Sequence, residues 1–104
     1  MRAIVGIIDY MGKDQRTTRQ WIDEVTFVEV SVIRLSEPVV GSDHPYKYSL
    51  VLVVAGECVL RYDNERGKGD HKHEGEDESD YLFTTLSQLL SDFKSDVRRV
   101  LNNE

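Results

Sequence analysis

Residues 26–35 constrain the fold most strongly, because they form an alternating run that is rich in β-branched side chains and favours an extended strand. With a period of two, Val28, Val30 and Val32 fall on one face of this strand. Pro38 ends the pattern soon afterwards, since proline lacks the amide hydrogen that a sheet needs. The chain is therefore expected to be built on a β-sheet with one apolar face.

A second pair of strand patterns surrounds Gly56. Residues 46–55 and 57–62 are rich in apolar and β-branched residues, and the short connection between them favours an antiparallel hairpin. Cys58 lies in the apolar run of residues 58–60, and alternation places it on the same face as Leu60. We therefore expect Cys58, the single cysteine of the chain, to be a buried small hydrophobe rather than a nucleophile.

The C-terminal segment carries a clear helical pattern. Apolar residues recur there at helical spacing, with polar residues between them. They are Leu86, Leu89, Leu90, Phe93, Val97, Val100 and Leu101. Thr85 followed by Gln88 is typical of a capping box at the start of a helix. The whole pattern predicts one α+β domain over residues 1–104, in which an antiparallel sheet of about four strands packs against a C-terminal helix.

Two other segments have weaker patterns. Residues 4–8 favour a strand followed by a long loop, and a short helix over residues 13–21 is the alternative. Residues 74–80 contain five acidic side chains and are expected to form a solvated loop.

The charge and apolar content exclude several classes of function. A formal net charge of −6 argues against non-specific coating of nucleic acid, although it leaves room for a local phosphate site. No apolar run reaches the length of a membrane-spanning helix, and the apolar start of the chain stops too early for an export signal. One cysteine excludes an internal disulfide. We therefore expect a cytoplasmic protein that does not enter a membrane.

Residues 61–73 are the strongest candidate for function. In an acidic chain they concentrate four permanent cations, two histidines and two glycines, a mixture suited to holding a phosphate and moving a proton beside it. His71 and His73 would project from one face of an extended chain, as an acid/base pair requires. Two alternatives stay open. One is a shared zinc or other divalent ion, with Asp70 or His44 as a further ligand, and the other is two exposed loop histidines without chemistry.

The Gly-Lys-Gly run at residues 67–69 is only partly like a phosphate-binding loop. The spacing of a P-loop is absent, but two glycines can turn backbone amides toward an anion while Lys68 supplies charge. An ordinary hairpin turn is the alternative. Arg61 ends a predicted strand, where its guanidinium either reaches water or binds a phosphate.

Three motifs lie close together in this part of the chain. They are Tyr-Asp-Asn at residues 62–64, Gly-Lys-Gly-Asp-His at 67–71 and His-Lys-His at 71–73. With the flanking strands and helix, they make residues 26–97 similar to the TumE family of small prokaryotic toxin components. The resemblance implies a toxin of a type II toxin–antitoxin system, encoded beside an antitoxin that binds and silences it. Residues 9–18 depart from the family, since they look longer than the short first hairpin expected there.

The resemblance and the residues together predict a toxin acting on RNA or translation, in the form of a metal-independent endoribonuclease without a cofactor. Such an enzyme attacks a phosphate with the neighbouring 2′-hydroxyl, which requires an acid, a base and cations. His71 and His73 are the expected acid and base, and Asp70 or Asp63 would orient a histidine. The expected phosphate or RNA contacts are Arg61, Arg66, Lys68 and Lys47, and the further site candidates are Asp63, Asn64 and Tyr48.

A non-catalytic binding protein is the alternative. Residues 61–73 would then contact an antitoxin or a ribosomal surface, and no bond would be cleaved. A metal-dependent hydrolase or nucleotide-transfer enzyme is the third hypothesis. The expected partners are a cognate antitoxin of the helix-turn-helix type and an RNA substrate, and a homodimer stays open.

Overall fold

The computed structural model describes residues 15–102, which form six strands and one helix. The strands are β1 (Gln15–Trp21), β2 (Thr26–Arg34), β3 (Tyr46–Val54), β4 (Glu57–Glu65), β5 (Gly69–Glu74) and β6 (Asp77–Asp80), and the helix is α1 (Leu86–Asn102). Each strand pairs antiparallel with the next, so the sheet order is β1-β2-β3-β4-β5-β6. The predicted α+β class, with an antiparallel sheet and a C-terminal helix, is confirmed. The strand expected at residues 4–8 lies outside the described residues.

The sheet has six strands rather than about four, and β1 is one of three strands, with β5 and β6, that the sequence patterns do not predict. It occupies residues for which the sequence predicts a loop or a short helix. Its polar side chains pair with those of β2: Thr17 Oγ1 lies 3.1 Å from Ser31 Oγ, and Arg19 Nε donates to Glu29 Oε1 at 2.8 Å. Cross-strand pairs of this kind stabilise a strand that has no apolar alternation of its own. The loop prediction was therefore wrong for residues 15–21.

Another unpredicted strand is β6, which occupies most of the acidic segment predicted to be a solvated loop. It is exposed along its whole length and pairs with β5. Gly75 adopts a φ of +60°, which lets the chain reverse between the two strands. Charged side chains on such an edge strand hinder pairing with another chain. The expected solvent exposure is confirmed, but the segment is a strand and not a loop.

The hydrophobic core lies between α1 and one face of β2, β3 and β4. The three valines predicted to share a face, Val28, Val30 and Val32, are buried there. The other buried apolar residues of this core are Tyr48, Leu50, Leu52, Leu60, Tyr62, Leu89, Leu90, Phe93 and Val97. The predicted apolar stripe of the helix therefore covers one face of the sheet.

The ends of α1 are held by polar contacts. The Gln88 amide donates to Thr85 Oγ1 at 3.0 Å, as a helix cap requires. The Gln88 side chain donates to Asp92 Oδ1 instead of returning to Thr85, so only half of the predicted capping box forms. Arg99 donates two hydrogen bonds of 2.9 and 2.6 Å to Glu74, which ties the last turns of the helix to β5. Among the described residues, no helix has the length and apolar character needed to cross a membrane.

A β-bulge moves Cys58 out of the core. The register shifts between Leu52 and Val53 of β3, so that Leu60 pairs with Leu52 while Cys58 pairs with Val53. Cys58 is exposed, and Val59 packs against the core instead. The prediction of a buried Cys58 was wrong, because strict alternation assumes a ladder without an inserted residue.

Candidate functional site

The face of the sheet that points away from α1 carries several of the predicted site residues. Side chains alternate between faces along a strand, and Tyr62 of β4 points into the core, so Arg61 and Asp63 point to the opposite face. The register of β4 and β5 pairs Asp63 with His71 and Arg61 with His73. The two histidines therefore lie on the same face of the sheet as Arg61 and Asp63.

His71 and Asp63 form the centre of this face. The His71 side chain is 2 % exposed, and its Nε2 lies 3.2 Å from Asp63 Oδ1. Although the two atoms are close, their geometry is not that of a hydrogen bond, and neither has another hydrogen-bond partner among residues 15–102. Buried polar atoms without partners are rare in folded proteins, because the lost hydration costs free energy that no contact offsets.

The charged residues around His71 complete the histidine–acid cluster, which consists of Asp63, Glu65, Lys68, His71, His73 and Glu78. Glu65 Oε1 lies 3.4 Å from His71 Nε2, and Glu78 Oε2 lies 3.8 Å from His71 Nδ1. The His73 ring meets the His71 ring edge-on, with centroids 5.2 Å apart. Lys68 Nζ lies 3.5 Å from a carboxylate oxygen of Glu65 and of Glu78, and the charges of Glu78 and Glu65 raise the pKa of Lys68.

Arg61 lies beside this cluster. Arg61 and His73 line one cavity of about 180 Å³, together with other residues of β4 and with Gly75 in the turn between β5 and β6. The Arg61 side chain is exposed. In the part of the chain that the structure describes, its guanidinium forms no ion pair, unlike Arg19 and Arg99. Arg66, in the turn between β4 and β5, is exposed as well.

Asp70 lies on the other face of the sheet, at one end of the core. Its Oδ1 accepts a hydrogen bond from Ser42 Oγ at 2.7 Å, and its Oδ2 accepts from His44 Nε2 and Tyr48 Oη, both at 2.7 Å. Burial, together with the hydrogen bond to Asp70, raises the pKa of Tyr48 well above its ordinary value. Asp70 therefore orients His44 rather than a histidine of the histidine–acid cluster.

His44 has a fixed orientation and tautomer. Its Nδ1 accepts the Tyr46 amide at 3.1 Å, so the ring proton belongs on Nε2, which donates to Asp70. The ring also stacks on Phe83, with centroids 3.7 Å apart. Because both ring nitrogens are engaged, His44 has no lone pair free for a metal, and it does not join the histidine–acid cluster.

Asn64, Tyr48 and Lys47 make contacts that join β3 to β4. Asn64 is fully buried, its Oδ1 accepts the Tyr48 amide at 3.1 Å, and its Nδ2 donates to Tyr46 O at 2.7 Å. The Lys47 ammonium group donates to the carbonyl oxygen of Asn64. These contacts alone account for polar side chains at the three positions, which the sequence offers as site candidates.

The Gly-Lys-Gly turn is also engaged within the protein. The Gly67 amide donates to Val40 O at 2.7 Å, and the Lys68 amide donates to a carbonyl within the turn at 3.0 Å. Gly69 adopts a φ of +79°, and a Cβ there would lie 3.0 Å from Gly41 O, so a larger residue would be strained where the loop before β3 crosses this turn. The Gly67 and Lys68 amides are therefore not free to bind an anion.

The two faces of the sheet differ in whether their polar side-chain atoms all have hydrogen-bond partners. A cavity of about 270 Å³ opens beside Asp70 and His44, but the polar atoms of these residues already bind one another. The histidine–acid cluster contains two buried polar atoms without partners. Because unsatisfied buried groups indicate a function more strongly than volume alone, we take this cluster, with Arg61, as the candidate functional site.

Sequence reasoning identifies the two histidines of this site but misses two of its acids, Glu65 and Glu78. The alternation of Asp63 with Glu65, on a strand that leads into the turn before His71, is a signal that could have found Glu65. No sequence pattern indicates Glu78 as a site residue, because the acidic segment that contains it is predicted to be a solvated loop.

The fold and the site define a small α+β protein whose open antiparallel sheet carries a helix on one face and a cluster of histidines and acids on the other. The sequence model of one family, described as Toxin TumE, matches residues 4–101. The chain belongs to this toxin family, and the predicted resemblance is confirmed. Membership of a toxin family implies an antitoxin as partner. No curated protein and no solved structure shows a significant match to the chain.

Proposed function

We propose that the chain is the toxin of a type II toxin–antitoxin pair and that it cleaves RNA at the face formed by the histidine–acid cluster and Arg61. Membership of the toxin family supports the toxin role. RNA is the proposed substrate because its cleavage requires a cation for the phosphate and groups that transfer protons, and this face carries both kinds of side chain. The proposed location is the cytoplasm, where RNA and ribosomes are present.

The observation that carries this proposal is the pairing of Arg61 with His73 across β4 and β5. Both line one cavity, and the His73 side chain is 35 % exposed. A guanidinium can bind a phosphate through two N–H groups, and an imidazole beside it can give or take a proton near neutral pH. A phosphate-binding group and a proton-transfer group are therefore within reach of one substrate.

In the proposed reaction, the 2′-hydroxyl attacks the neighbouring phosphorus, a base removes the hydroxyl proton, and an acid protonates the departing 5′-oxygen. His73 is the proposed histidine in contact with the substrate. His71 is too deeply buried for direct contact in this structure, so we assign it the role of positioning His73 from its place against Asp63. This reaction needs no metal ion, because side chains bind the phosphate and transfer the protons.

Incubation of the purified protein with an end-labelled RNA tests this proposal. The expected products end in a 2′,3′-cyclic phosphate, and a 2′-deoxy substitution at the cleaved position should prevent cleavage because it removes the attacking hydroxyl. His73→Ala should slow cleavage by about 10²–10⁴-fold. Arg61→Ala should weaken RNA binding and reduce its dependence on salt, since it removes a phosphate contact.

Arg98→Ala is the matched control, because Arg98 is an exposed arginine on α1 and not on the site face. It should bind and cleave RNA like the wild type. Cleavage by His73→Ala at the wild-type rate would contradict the role of His73. Intact RNA in the presence of protein that arrests growth would contradict the ribonuclease proposal as a whole.

A non-catalytic interface is the second candidate, and one observation favours it. Lys68 is already paired with Glu65 and Glu78, so its charge is not free for a phosphate. In this alternative, residues 61–73 bind a helix-turn-helix antitoxin or a ribosomal surface. Histidine variants that stay fully toxic yet no longer bind the antitoxin would support the interface and remove the ribonuclease assignment.

A further inference from the structure

We propose that Asp63, His71 and His73 bind one divalent transition-metal ion of the zinc class. The first observation is the pair of buried atoms without hydrogen-bond partners, His71 Nε2 and Asp63 Oδ1. An imidazole nitrogen and a carboxylate oxygen are both common zinc ligands. A bound ion would give both atoms the partner that the described protein does not supply.

The distances are the second observation. With metal–ligand bonds of about 2.0–2.2 Å, two ligand atoms of a tetrahedral zinc site lie about 3.3–3.6 Å apart. The Nε2 of His71 and the Oδ1 of Asp63 are 3.2 Å apart, which is just below the lower end of this range. One ligand atom from each of Asp63, His71 and His73 lies within 4.8 Å of the other two. The His73 ring, which is 35 % exposed, would have to move closer to the other two ligands to complete the site.

The charge of the histidine–acid cluster is the third observation. With neutral imidazoles, its carboxylates Asp63, Glu65 and Glu78 outnumber its only ammonium group, Lys68, by three to one. The cluster therefore attracts a cation more strongly than a phosphate.

Three protein ligands leave a fourth tetrahedral position open. Glu65 Oε1, 3.4 Å from His71 Nε2, or a water molecule would fill it. Two imidazoles with one carboxylate favour zinc, cobalt, nickel or iron over magnesium, which prefers oxygen ligands. Metal binding is a separate claim from RNA cleavage, because a His73 ring that binds an ion through a lone pair cannot use the same lone pair to take up a proton. The metal-bound protein would therefore be a form in which His73 is not the proton-transfer group, and only a role of the ion in cleavage would rest on the proposed function.

Titration with cobalt(II) tests the site directly. The full-length protein is prepared without a histidine tag, treated with a chelator, dialysed and titrated with Co²⁺ while the visible absorption is recorded. One equivalent of Co²⁺ should produce the d–d bands of a four-coordinate site. Zn²⁺ should displace the cobalt and raise the melting temperature, whereas Mg²⁺ should do neither.

His73→Ala is the main variant, because His73 is partly exposed and its loss should leave the fold intact. His73→Ala and Asp63→Asn should each weaken Co²⁺ affinity by at least about 100-fold. Asp77→Asn, which removes a carboxylate from the exposed strand β6 outside the cluster, is the matched control and should bind cobalt like the wild type. Circular dichroism verifies that each variant is folded.

Two outcomes would overturn the metal site: no spectral change in the wild type, or a spectrum that His73→Ala and Asp63→Asn both leave unaltered. The same preparations also separate this claim from the proposed function. Cobalt binding without RNA cleavage would retain the metal site and remove the ribonuclease. If the protein binds no cobalt and cleaves RNA equally well with and without a chelator, the ribonuclease would be retained and the metal site removed.

Discussion

At the residue scale, two adjacent residues of β5, Asp70 and His71, lie on opposite faces of the sheet and contact different side chains. Asp70 holds Ser42, His44 and Tyr48 on the helix side of the sheet, whereas the next residue, His71, lies against Asp63 on the other side. The sequence predicts that His71 and His73 share a face, because alternation along a strand is a local property. It does not predict which acid each histidine meets, because that depends on the register of β4, β5 and β6.

Asp70→Ala should lower the free energy of unfolding by about 3 kcal/mol, because it leaves the Tyr48 hydroxyl and His44 Nε2 without their shared acceptor inside the protein. Urea denaturation measures this change. Asp77→Ala, on exposed β6, should change the free energy of unfolding by less than about 0.5 kcal/mol. A stably folded Asp70→Ala protein that has lost toxicity would instead give Asp70 a direct role in function.

At the element scale, α1 is anchored to the sheet by apolar packing and by a polar contact through Asp96.

The helix and the strands β2 to β4 are predictable from the sequence, because each has an apolar period of its own. The strands β1, β5 and β6 are not predictable in this way, since β1 is stabilised by polar cross-strand pairs and β5 and β6 by backbone pairing with their neighbours in the sheet. The bulge next to Cys58 likewise cannot be predicted from the sequence, because it depends on how two strands pair.

Phe93→Ala should lower the free energy of unfolding by about 3–5 kcal/mol, because Phe93 is fully buried and its ring meets Tyr62 edge-on. Ser95→Ala, on the exposed side of the same helix, is the control and should leave the stability nearly unchanged. Chemical denaturation of the three proteins checks this prediction. Equal midpoints for Phe93→Ala and the wild type would mean that α1 does not close the core.

Asp96 should give the protein a stability that depends on acid pH. Burial raises the pKa of Asp96, but hydrogen bonds from Tyr62 and Lys72 outweigh it and hold the pKa below the ordinary value of 3.8. A lowered pKa in the folded state stabilises the fold at pH values above the unfolded-state pKa, and this contribution is lost as the pH falls through the folded-state pKa.

Thermal melts between about pH 2 and pH 7 measure this contribution. Asp96→Asn should be less stable than the wild type near neutral pH, and the difference should shrink as the pH falls below the ordinary pKa of 3.8. A difference in melting temperature that stays constant across this range would contradict the ion pair between Asp96 and Lys72.

At the scale of the whole molecule, the sheet separates two tasks. One face packs against α1 and supplies the core, and the other carries the histidine–acid cluster with Arg61 beside it. The net charge of −6 argues against broad binding of nucleic acid, so contact with RNA would be confined to a small area such as the Arg61–His73 cavity. A toxin of the TumE family with this arrangement would act through the site face and not through the helix.

Growth after induced expression in a bacterial host tests this claim most directly. The wild type and the Asp77→Asn control should arrest growth, and co-expression of the cognate antitoxin should relieve the arrest. His73→Ala, at an equal protein level, should allow normal growth, because it removes the proposed proton-transfer group from the site face. Growth arrest by His73→Ala as strong as that of the wild type would contradict the claim.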